Sequence, residues 1–139
     1  MTAYVDSSVL LRVLLGQAHA LKEWKTLRRA VASALVEVEC LRTLDRIRIR
    51  MGIQDRELAS RREAVYRMLE AMEVVELSRG VLARAAHPLP IELGTLDAIH
   101  LATALFWREG TGEDLVMATH DVALGTAARS CGLRAIGTP

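Results

Sequence analysis

Four acidic residues interrupt otherwise apolar stretches of this chain: Asp6 after "AYV", Glu39 in "LVEVECLR", Asp97 in "GTLDAIHLATAL" and Asp121 after "LVMATH". Carboxylates brought together in low dielectric repel each other by several kcal/mol per close pair, so a cluster of them calls for a cation. An all-oxygen set with no nearby Cys or clustered His suits a hard ion, Mg²⁺ or Mn²⁺, which keeps several waters and takes one or two carboxylates directly. Such an ion can activate water and steady the charge that builds on a phosphodiester during hydrolysis. Each acid also has an ordinary reading. Asp6 and Asp121 would serve as helix caps. Asp97 in a first helical turn would gain ~0.5 kcal/mol from the macrodipole. Glu39 would pair with Arg42 or bond Thr43 on a wet helix face. Independent caps need not share a location, so the question is where the elements put them.

Periodicity gives the order of elements. "AYV" reads as a strand and "SVLLRVLLG" as the helix after it, closed by Gly16. Residues 20–29 read as a second helical stretch leading into the short strand "AVAS", whose Ser33 is a good N-cap for the next helix. From Ala34, the residues Leu41, Leu44, Ile47 and Met51 recur at helical intervals up to Gly52, and this spacing overrides the two-residue alternation of "RIRIR". An amphipathic helix over 55–71, the strand "EVVEL" and the short helix "SRGVLARAA" come next. "HPLPIELG" holds two of the three prolines and is a connection. A helix over 95–108, the strand "LVMA", a helix over 121–130 and the strand "LRAI" complete the chain.

Five short strands separated by helical segments imply an α/β fold with a parallel sheet covered on both faces. In such sheets ligands bind outside the carboxyl ends of the strands, where the following helices begin. Asp6, Glu39 and Asp121 all fall there, and the helix opened by Asp97 must run back down the sheet to feed the fourth strand. The four acids are therefore expected on one rim.

The totals limit the alternatives. A chain of 139 residues suits one domain spanning 1–139, and 51% hydrophobic with 25% charged residues is ordinary globular composition. A net charge of +1 gives no global attraction to nucleic acid or membrane. The cations are unevenly placed, however: Arg42 to Arg67 holds eight arginines against Asp45, Asp55, Glu57 and Glu63. That surplus reads either as a phosphate-binding surface or as two solvated helix faces. Cys40 and Cys131 lack metal-ligand spacing and read as small core residues of a reduced, cytoplasmic protein. No apolar run reaches the ~18 residues of a membrane span, and no cleavable leader is expected. His100, one turn beyond Asp97, reads as a packed or hydrogen-bonding histidine rather than a ligand.

"AYVDSSVLL", "SALVEVECLR", "TLDAIHLATAL" and "MATHDVALGTAARSCGL", in this order and spacing, resemble the PIN domain, most closely its VapC-like toxin branch. The resemblance implies a five-stranded parallel sheet in the order 3-2-1-4-5 and a Mg²⁺-dependent endoribonuclease, with Mn²⁺ as a possible substitute. It implies a homodimer inhibited by a small antitoxin whose tail enters the acidic groove. Carried over by motif, Asp6, Glu39, Asp97 and Asp121 are the metal-site and catalytic acids, with Ser7 and Thr119 as supporting hydroxyls. Glu39 is preferred to Glu37 because it shares a helix face with Arg42 and Arg46, the arginines expected to hold RNA. Unstacked loops favour specific recognition, so the expected substrate is a structured RNA such as tRNA or rRNA. The rival reading is a non-enzymatic receiver-like or RNA-binding α/β domain with a regulatory divalent cation. A phosphoryl-accepting site would want a Lys near the last strands, yet the only two are Lys22 and Lys25.

Overall fold

The computed structural model describes residues 1–139. Strands β1 (Thr2–Val5), β2 (Arg29–Ser33), β3 (Glu73–Val75), β4 (Val116–Ala118) and β5 (Arg134–Ile136) form one sheet in the order β3-β2-β1-β4-β5. Every pairing is parallel. The expected sheet order is therefore observed.

Parallel neighbours need crossovers, and the helices supply them: α1 (Ser7–Leu14), α2 (Leu35–Met51), α3 (Asp55–Glu70), α4 (Arg79–Ala85), α5 (Thr95–Thr111) and α6 (Val122–Ser130). Successive strand side chains point to opposite faces, which sorts the core into two halves. Ala3, Val5, Val116 and Ala118 pack with Val9, Leu10, Val36, Cys40, Leu44 and Val65 from α1, α2 and α3. Tyr4 and Met117 instead pack with Leu101, Leu105, Leu124 and Ala127 from α5 and α6. Truncating a buried leucine such as Leu101 to alanine costs about 2–5 kcal/mol.

The stripe Val36, Cys40, Leu44 has four-residue spacing and fixes the phase of α2. "RIRIR" lies within that helix, and Gly52 ends it in the left-handed conformation, φ 64°. Beyond Leu44 the helix runs out past the core, leaving Ile49 and Met51 at 66% and 75% exposure.

The expected helix over 20–29 does not form. Residues 24–26 make a single 3₁₀ turn and β2 already begins at Arg29. Leu21, Trp24 and Leu27 recur every three residues, and the backbone follows that period: Trp24 N–H bonds Leu21 O, Thr26 bonds Glu23 and Leu27 bonds Trp24. No helix of the chain is long and apolar enough to cross a membrane.

Candidate active site

The carboxyl ends of β1 and β4 lie side by side, Val5 in register with Ala118. Asp6 follows β1 directly and serves as N-cap of α1, accepting from Val9 N–H at 3.2 Å. Its remaining bonds come from hydroxyls: Ser8 Oγ donates to Oδ1 at 2.6 Å, and Thr119 Oγ1 donates to Oδ2. Thr119, fully buried after β4, also accepts from Asp121 N–H at 3.0 Å. One threonine thus ties two of the four acids together. Asp121 caps α6 through Leu124 N–H at 2.8 Å. The capping readings of Asp6 and Asp121 hold alongside the shared rim, since each acid has an oxygen on its helix and its position at the sheet edge.

Glu39, in the second turn of α2, reaches over the sheet edge to the opposite layer. Its Oε1 lies 2.6 Å from Nε2 of His100 on α5, and Ser7 Oγ donates to Oε2 at 3.2 Å. Glu37, two positions earlier, is exposed. His100 is 1% exposed, and its Nδ1 sits 2.6 Å from the Tyr4 hydroxyl. Burial, aided by the charge of Asp6, raises the Tyr4 phenol well above its ordinary value, so the hydroxyl keeps its proton. The ring bridges the two: Tyr4 O–H on the Nδ1 side and the Glu39 carboxylate on the Nε2 side, where Nε2–H donates to Glu39. His100 is the packed, hydrogen-bonding residue expected of it, and it orients a rim carboxylate.

Asp97 lies in the first turn of α5, half-buried. Burial first, and then the charge of Asp121, raise its carboxyl above the ordinary value; Asp6 and Glu39 push the same way, and only His100 opposes them. Those contributions place Asp121, Asp6 and Glu39 within electrostatic reach of Asp97. None of them pairs with Lys or Arg, whereas Asp45, Glu57, Glu63, Glu73, Glu109 and Glu113 all do. The rim does not contain three or more His, Cys, Asp or Glu side chains gathered tightly enough to hold an ion by themselves. It is open, too. An apolar cavity of about 500 Å³ between α4 and α5 is lined by Leu82, Leu89, Ile91 and Ala98 but by none of the four acids.

The arginine-rich stretch divides between the two readings offered by its sequence. Arg42 and Arg48 both pair with Asp45, Arg61 pairs with Glu57, and Arg67 approaches Glu63 at 3.9 Å. Arg46 bonds only the Thr43 hydroxyl and is exposed. Cys40 is a core residue whose thiol is pushed up to about 12, mainly by burial, which leaves it unreactive.

Ser8 and Tyr4 complete the site beyond the acids, the hydroxyls and the hydrogen-bonding histidine expected from sequence, and no spacing signalled either of them.

A parallel five-stranded sheet with carboxylates at its carboxyl edge defines the class: the PIN domain model matches residues 3–122, and the chain belongs to the PIN-domain family. Within that family it is VapC-like, being 34% identical over 137 residues to Ribonuclease VapC46 of Mycobacterium tuberculosis, with 96% of this chain and 95% of the relative covered. Among solved structures it is similar to FitAcB from Neisseria gonorrhoeae, with TM-score 0.72, 17% identity and 96% of each chain covered. It is also similar to a toxin-antitoxin complex from Klebsiella pneumoniae, with TM-score 0.67, 16% identity, and 99% and 95% coverage of this chain and that one. VapBC-1 from nontypeable Haemophilus influenzae gives TM-score 0.63 and 15% identity, with 97% and 96% coverage. At these identities the structural likeness is one of fold.

Proposed function

We propose that this chain is a Mg²⁺-dependent endoribonuclease of the VapC type, a toxin neutralised by a small antitoxin. The observation that carries the reading is the raised Asp97 carboxyl, which faces three further carboxylates with no arginine or lysine to offset them. Charge left uncompensated at the carboxyl edge of a parallel sheet is a binding site for something positive. The relative's name, a ribonuclease, and the neighbours' description as a toxin-antitoxin complex support the same assignment.

The chemistry of the donor set suits a hard cation, since all four side chains offer oxygen. Asp6 and Asp97 would hold it, with Glu39 and Asp121 completing the set. Mn²⁺ would substitute. The ion, when bound, supplies Lewis acidity toward the phosphodiester and lowers the pKa of water. The chain's own residues orient the acids: Thr119 fixes Asp6 relative to Asp121, and His100 with Ser7 fixes Glu39.

The substrate is a structured RNA such as tRNA or rRNA, cut in an unstacked loop, with Arg42 and Arg46 holding its backbone. The active protein is a cytoplasmic homodimer, and the antitoxin blocks the acidic rim with a basic tail. Cleavage assays on a loop-containing RNA with Mg²⁺, with excess EDTA and with Asp97→Asn test the enzyme. Activity is expected only for the parent chain with metal. Cleavage that survives both chelation and Asp97→Asn would overturn the mechanism.

A further inference from the structure

A polar cavity of about 340 Å³ opens on the α1 side of the acidic edge. Its walls carry Arg12, Lys22, His19 and His120 against a single carboxylate, Glu23. Neither Arg12 nor Lys22 takes part in an ion pair, and the only carboxylate in the wall, Glu23, pairs with neither. Their charge is free for a ligand.

The cavity wall is held in place. Arg12 donates through Nη1 to the carbonyl of His19 at 3.2 Å. His19 has φ 62°, the only left-handed value outside glycine, a strained conformation that persists where neighbours enforce it. His120 Nδ1 lies 3.0 Å from the carbonyl of Gly137; since a carbonyl only accepts, Nδ1 carries the proton. Nε2 of the same ring is the one buried side-chain polar atom in the chain with no partner.

This wall is continuous with the rim. His120 N–H donates to Ser8 Oγ at 2.9 Å, and that hydroxyl donates in turn to Asp6 at 2.6 Å. Arg12 is six residues beyond Asp6, about 9 Å along the axis of α1. A strand of nucleic acid crossing the acids would lay its next phosphates over these cations. A guanidinium fork matches two phosphate oxygens, and an ammonium supplies a point charge.

We propose that the cations of this cavity, Arg12 and Lys22, bind a backbone phosphate of the RNA beside the one cleaved. This rests on the ribonuclease reading and specifies where its substrate runs. The strand leaves the acids along α1, toward unpaired cations, in addition to any contact with α2.

The test uses fluorescence anisotropy of a short labelled RNA on the non-cleaving Asp97→Asn background, with Mg²⁺ present, over a range of KCl concentrations. Adding Lys22→Gln should weaken binding several-fold and lower the slope of log K against log salt by about 0.7, the value for one phosphate contact on a single strand. Arg12→Gln with Lys22→Gln should roughly double the loss of slope, and Arg12→Lys should recover most of it. In the cleaving chain the same changes should fall on KM more than on kcat. Unchanged affinity and slope in the folded Lys22→Gln and double variants, with the parent still cutting RNA, would overturn this inference alone. A parent that neither binds nor cuts RNA would overturn the ribonuclease reading with it.

Discussion

At the amino end of the sheet, Arg29 opens β2 between Glu73 and Glu113 and lies over the ring of Trp107, 5.2 Å from its centroid. At the carboxyl end, Asp97 faces Asp121, Asp6 and Glu39 with no arginine among them. The same backbone therefore carries charge in two opposite ways. Glu73 accepts from Trp107 Nε1 at 2.9 Å as well as from Arg29, and these bonds hold its carboxyl below the ordinary value. Asp97 is shifted upward. A carboxylate kept for structure arrives with its donors, whereas one kept for binding waits for a partner from outside.

The largest effect expected from this contrast is on catalysis. Asp6→Asn keeps an oxygen for the α1 cap but removes a charge from the rim, and RNA cleavage should fall on the order of 10³-fold while cooperative melting is retained. Arg29→Gln, at the opposite end, should leave the cleavage rate unchanged. Equal losses at both ends would mean that the activity reports only folding.

A smaller effect is expected on stability. A raised folded-state carboxyl contributes stability that is full below the ordinary carboxylate range and is lost as pH rises through the raised value. At neutral pH without divalent ions, ionised Asp97 is therefore a liability, and Asp97→Asn should melt higher than the parent by about 2–4 °C. Scanning calorimetry from pH 7 downward should show the gap closing as Asp97 protonates. Adding Mg²⁺ should raise the parent's melting temperature and not the variant's.

The smallest effect belongs to the amino end. A lowered folded-state carboxyl contributes stability present above the ordinary range and lost as pH falls through the lowered value. Glu73 is 40% exposed, so solvent and salt screen its pairing with Arg29. Glu73→Gln should lower the melting temperature at pH 7 by no more than about 2 °C, and added KCl should shrink the difference.

Much of the carboxyl edge was legible in the sequence because a general rule locates it: an acid directly after a parallel strand, or at the head of its helix, lies at the ligand-binding edge. Asp6, Asp97 and Asp121 follow from that rule. Glu39 is preferred to Glu37 in the sequence for the face it shares with Arg42 and Arg46, a reading that puts Glu37 with Leu41 and Leu44; the buried stripe of Val36, Cys40 and Leu44 in fact turns Glu37 outward. The Tyr4 to His100 to Glu39 relay was not legible, because it joins side chains from both layers across the edge, and no local pattern encodes such a meeting. Neither was the amino-end network, whose Arg29, Glu73, Trp107 and Glu113 come from four separate segments. The 20–29 segment misled for a local reason: apolar residues spaced by three satisfy a 3₁₀ turn as readily as the edge of an α-helix. In the arginine-rich stretch, composition alone could not tell which cations Asp45 and Glu57 neutralise.

Gly137 lies fifteen residues beyond the part of the chain matched by the family model, yet a Cβ there would come within 2.5 Å of the Thr119 carbonyl. Its φ of +93° disfavours a side chain independently. Thr119 is the residue whose hydroxyl joins Asp6 to Asp121, so bulk at position 137 would be transmitted through a single peptide unit to two of the four acids. The segment around Gly137 thus acts as a backstop for the acidic edge, and a side chain introduced at that position is expected to displace Thr119 and the two carboxylates it joins.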